Sequence, residues 1–111
     1  MKNLKKNISA KVLNPAGLIA YEKDAIVSSE ILKKKTGTIT LFSFDCGQGL
    51  SEHTAPFDAL IYIIEGCAAI FIAKKPYKVK KGEMIILPAN KPHAVKSITK
   101  FKMMLVMIKS K

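Results

Sequence analysis

The sequence predicts an all-β barrel or sandwich, and three observations carry that reading. From Ala25 onward, runs rich in Val, Ile, Thr, Phe and Tyr are cut at roughly eight- to twelve-residue spacing by turn signals. No stretch sustains a helical period. Both histidines, His53 and His93, lie at the ends of separate strand-like runs, where a small barrel would aim each at one interior point.

Residues 1 to 22 read as an arm: AKVLN resembles a short strand, and NPAGLIAYEK a turn with at most one helical turn. The barrel then spans 25 to 108. Its runs are AIVSSEIL, TITLFSFD, LSEHTA, DALIYIIE, AAIFIA, YKVK, MIILP, a short strand from His93 to Ser97, and FKMMLVMI. Gly66 and Gly82 end strands where a tight turn demands positive φ. Pro88 and Pro92 cannot donate to a ladder, so they end pairing there and present His93 from a stiffened loop.

Strand alternation assigns faces. An inward His53 takes Ser51 and Ala55 with it, and an inward Ala59 takes Ile61 and Ile63. Leu60, Tyr62 and Ile64 then face out, as do Cys67, Ala69 and Phe71 when Ala68, Ile70 and Ile72 face in. In the last run Phe101, Met103, Leu105 and Met107 face inward and Lys102 outward. A methionine-rich lining is adaptable packing first and a small apolar pocket second. Sheets apolar on both faces need cover on both, which predicts a homodimer, with the arm as a competing cover.

The chain of 111 residues suits one domain, 1 to 111, with a single core. With no run near the roughly 20 apolar residues that span a bilayer, a membrane partner is not expected. The lysines at the start precede no secretory-type apolar block, which predicts a cytoplasmic protein whose Cys46 and Cys67 stay reduced. The formal charge is +11, yet every basic residue is lysine and the lysines are scattered from Lys2 to Lys111. Without arginine forks or a compact cluster, no specific nucleic-acid partner is expected.

Gly47, His53 and Gly66 fall at the spacing G-x5-H…G, and Gly82, Pro88 and His93 at G-x5-P…H. In this the chain resembles a small single-domain cupin, which implies a double-stranded β-helix, or jelly-roll, barrel. The resemblance also implies a metal site of three histidines and a glutamate, which this sequence does not complete. Ala55 stands at the second histidine, Ala59 at the glutamate, Asn90 at the middle glycine of the second motif, and Ser97 at its final asparagine. The metal ligands it leaves are His53 and His93, so the expected cofactor is none or a weakly bound divalent metal.

Two classes of function follow. The first is a binding module whose pocket, formed by His53, Ala55, Ala59, Ile61, His93 and Met103, takes a small molecule. The alternative is a metal-dependent enzyme of dioxygenase, isomerase or decarboxylase type, with substrate completing the coordination of His53 and His93. The binding module is the favoured reading. No catalytic residue is assignable, since no nucleophile with a base accompanies the histidines.

Overall fold

The computed structural model describes residues 8–109. Among these residues nine strands follow a single 3-10 turn at Pro15–Gly17: β1 Ile26–Lys34, β2 Gly37–Phe44, β3 Gly49–His53, β4 Asp58–Glu65, β5 Cys67–Ile72, β6 Lys75–Lys80, β7 Met84–Leu87, β8 His93–Ser97 and β9 Phe101–Ile108. They form two antiparallel sheets, ordered β1-β2-β9-β4-β7 and β3-β8-β5-β6, and fold as an all-β jelly-roll barrel. No helix among the described residues is long and apolar enough to cross a membrane.

The alternation read from β4, β5 and β9 is present in the burial. Ala59, Ile61, Ile63, Ala68, Ile70, Phe101 and Met103 belong to one buried cluster with Phe44, Val79, Leu87 and Val95. At its centre the rings of Phe44 and Phe101 stack, 4.4 Å between centroids. Such pairs contribute about 0.5–1.5 kcal/mol beyond the area they bury.

The outer face of the larger sheet is covered over one half by the N-terminal segment. Of the arm expected over 1 to 22, residues 1–7 lie outside the described residues. Asn14 caps the 3-10 turn by accepting from the Ala16 amide at 3.1 Å. Beyond that turn Leu18 and Ile19 pack with Val27, Ile31, Leu41, Ile64 and Met104 in a second cluster. Polar contacts pin this segment down: the Ser43 hydroxyl donates to the Ala20 carbonyl at 2.8 Å, and Tyr21 Oη to Glu65 Oε2 at 2.6 Å. Burial, and then the Glu65 carboxylate, push the Tyr21 hydroxyl well above the usual tyrosine range.

Lys102 lies on the outer face, as expected, and is nevertheless buried. Its side chain leaves the sheet on the outward side, as alternation requires, but it is only 8% exposed because the arm lies over it. Its Nζ donates to the Ala16 carbonyl at 2.7 Å, stands 3.9 Å from Glu65 and lies 4.9 Å from the Tyr21 ring centroid. A charge taken out of water needs such partners.

The other half of that face is open. Val106, Leu60 and Ile86 pair across β9, β4 and β7, and Tyr62 pairs with Met84 beside them. Tyr62, Met84, Ile86 and Ile108 are exposed, and a shallow groove of about 420 Å³ runs between Leu60, Ile86, Pro88, Val106 and Ile108.

Two predictions follow from this architecture. At Gly66, with φ +80°, an added Cβ would collide with the Lys100 carbonyl, whereas at Gly82, with φ +85°, it would meet nothing. Denaturant unfolding should therefore show Gly66→Ala losing about 3 kcal/mol and Gly82→Ala about 1 kcal/mol, the difference being overlap added to left-handed strain. Tyr21→Phe removes the bond to Glu65 and should cost about 1–2 kcal/mol. It should also speed tryptic cleavage after Lys23, read by limited proteolysis.

Candidate functional site

The site is built where β3 meets β8. His53 and His93 are cross-strand partners, but the register between these strands shifts between Leu50 and His53. Those two lie three positions apart, so a regular strand would send them to opposite faces. The bulge puts both on the interior side, where they line a common cavity. Ser51, expected inward beside His53, is instead exposed, and Leu50 takes the inward place.

His93 is presented by the loop that Pro88 and Pro92 bracket. Asn90, at the position of the family motif's middle glycine, has φ +66°, a left-handed conformation that asparagine adopts more readily than most side chains. Its amide donates to the Ala55 carbonyl at 2.8 Å, which ties this loop to the segment after His53.

The cavity has a volume of about 120 Å³. Lining it are His53, Ala55, Ala59, Ile61, His93 and Met103, together with Leu50, Phe57, Leu87, Val95, Leu105 and Met107. His53 stands at the rim and is exposed, while His93 is 9% exposed. Val95 was readable from period two after His93, whereas Leu50 depended on the bulge and Phe57 on a loop without periodicity.

The two imidazoles touch edge to face, with Nε2 to Nε2 at 3.1 Å and 71° between ring planes. On the far side of each ring, His53 Nδ1 lies 2.8 Å from the Ser51 carbonyl and His93 Nδ1 lies 3.3 Å from that of Lys91. A carbonyl only accepts, so a ring that bonds through Nδ1 carries a hydrogen there. The 3.1 Å contact between the Nε2 atoms is a hydrogen bond when one of them carries a hydrogen and the other accepts. Burial, then the neighbouring His53, hold the His93 pKa below the ordinary histidine value, so His93 resists protonation of its own.

A divalent metal of the usual cupin kind finds too few donors. At the two lost ligand positions Ala55 and Ala59 offer only methyl groups. The carboxylate of Asp58 accepts from the Ala89 amide at 2.8 Å, and that of Glu52 stands 3.9 Å from Lys74. Among the described residues, no group of three or more His, Cys, Asp or Glu side chains could hold a metal ion. The residues present do not fit a hard divalent ion, which needs four to six oxygen or nitrogen ligands.

Comparison with known proteins places this geometry in a family. The family profile described as "Cupin domain" matches residues 40–109. A conserved protein of unknown function from Streptococcus pyogenes is 34% identical, with a TM-score of 0.90 over 100% of this chain and 97% of its own. A cupin 2 conserved barrel domain protein from Leptotrichia buccalis is 40% identical, with a TM-score of 0.82 over 85% of this chain. The match spans 46%, about half, of that protein's length. A cupin superfamily protein from Desulfitobacterium hafniense is 26% identical, with a TM-score of 0.87 over 92% of this chain and 94% of its own. No curated protein matches significantly. With the profile covering more than half of its length and the barrel aligned throughout, the chain belongs to the cupin family.

Proposed function

We propose that this cupin is a small-molecule-binding protein, taking a partly apolar ligand of about six non-hydrogen atoms into the barrel and orienting it with the His53–His93 pair. The observation that supports this most is the cavity itself: about 120 Å³, walled by apolar side chains and polar only at its imidazole mouth. A dry apolar cavity of roughly 150 Å³ accommodates benzene, so the space suits a single small ring or a short branched chain. The alanines at positions 55 and 59 leave room on the side where the family's ligands would project.

The enzyme reading draws on the same two histidines but lacks the donors a divalent ion needs, and the binding module is retained. Cys46 and Cys67 are both free, which suits a reducing compartment. We further propose a homodimer through the open half of the outer face, with Leu60, Ile86, Val106 and Ile108 against their counterparts. An exposed apolar row along the edge strand β7 supports this, because such a face is costly to leave in water.

Titration with phenol, which joins an apolar ring to one hydroxyl, tests the pocket. Binding should shift the NMR signals of the Met103 and Met107 methyls and of the His93 ring. Ala59→Leu, which fills the floor, should weaken binding roughly tenfold or more while leaving the fold intact. Unchanged affinity in that variant would place the ligand elsewhere. For the dimer, the solution mass at micromolar concentration should be twice that of one chain, and Ile86→Glu should halve it by burying an unpaired charge at the contact.

A further inference from the structure

Lysines scattered along the sequence gather at one end of the barrel, the end where the cavity opens. We propose that the site selects a small organic monoanion, a carboxylate on an apolar body of ring size, whose body fills the cavity while its charge stays at the mouth among those lysines. This rests on the small-molecule reading and adds the class of ligand to it.

Register places the charges. One cross-strand row of the larger sheet runs Lys33, Thr38, Met107, Ala59, and the last two line the cavity. The matching row of the smaller sheet runs His53, His93, Ile72, Lys75. Directly opposed residues share a face, so Lys33 and Lys75 stand on the inner side, each at the end of a row that carries the site. Lys75 Nζ accordingly lies 5.4 Å from the ring centroid of Tyr77, the cross-strand partner of the core residue Ile70. The hairpin tips add further charge. Lys34 ends β1 and Lys35 begins the turn after it. Lys74 sits at the tip between β5 and β6, which the Ala73 amide ties to the His93 loop by donating to the Pro92 carbonyl at 2.8 Å. Lys91 belongs to that loop, and all six lysines are exposed.

Carboxylates do not offset them. Those at this end are Glu30, Glu52 and Asp58, of which Glu52 stands 3.9 Å from Lys74 and Asp58 accepts from the Ala89 amide. The other five of the chain's eight, Glu22, Asp24, Asp45, Glu65 and Glu83, lie at the opposite ends of the strands. A cleft with apolar walls and a rim of one sign focuses the field and raises the local concentration of counter-ions. The floor offers a charge no partner, so the anionic group must remain at the mouth, where the imidazole pair supplies a hydrogen-bond partner. A six-membered ring suits the 120 Å³ below and leaves the three atoms of a carboxylate outside. Exposed, hydrated lysines offset the partial desolvation of one negative charge better than that of two, which favours a carboxylate over a phosphate dianion.

Benzoate and its neutral isostere benzamide test this on the untagged full chain at neutral pH, where the carboxyl group is ionised. With affinities read from the NMR shift of the Met103 methyl, benzoate at about 10 mM salt should bind about tenfold more tightly than benzamide. At about 150 mM salt the advantage should shrink to about threefold or less. Lys33→Glu, Lys75→Glu and Lys91→Glu together should remove the advantage and leave benzamide binding unchanged, which also reports an intact pocket. The same change of net charge at the far end, Lys23→Glu with Lys80→Glu and Lys81→Glu, should lower benzoate affinity by less than about threefold. The proposal is overturned if benzamide matches benzoate in the native chain, or if the far-end variant loses as much as the mouth variant. Either result leaves the pocket standing, whereas absence of a Met103 shift with both probes removes the pocket and this inference with it.

Discussion

The chemistry of this barrel depends on one irregularity, the bulge that lets Leu50 and His53 face inward together. Remove the extra residue and period two would turn one of them out, leaving either a hole in the wall or a single imidazole at the mouth. The bulge also leaves the Ser51 carbonyl 2.8 Å from Nδ1 of the ring it re-aims. A backbone defect in β3 thus decides both the direction of a side chain and the partner of its Nδ1.

Around that point the family's framework is kept while alanine stands at two of its ligand positions, 55 and 59. Gly66 retains its turn because the Lys100 carbonyl leaves no room for a side chain, and Asn90 holds a left-handed backbone in glycine's place. Backbone requirements of this sort constrain the whole barrel. The ligand positions constrain only what sits inside, and replacing them with alanine costs the fold nothing that its apolar walls do not supply.

Much of this was legible in the sequence. Nine strand-like runs and two motif spacings gave the barrel, since a period of two written in Ile, Val and Phe has few other readings. Alternation placed Ala59, Ile61 and Met103 on the inner side, and they line the cavity. It failed at Ser51, because nothing local in GLSEH announces a bulge; at Lys102 it gave the outer face but not the burial, because a charge hidden by a distant segment looks identical to one in water. The volume of the cavity was equally out of reach, as it depends on how two sheets approach rather than on any one strand.

The two faces of β9 serve different masters. Lys102 and Met104 are held by the arm, while Met103, Leu105 and Met107 form one wall of the cavity. A slip of one residue would drive an ammonium group into an apolar interior and strand thioethers beneath the arm, so each side vetoes the same error. Because the strand is shared, whatever loosens the arm's grip on its back also slackens the wall that faces the imidazoles.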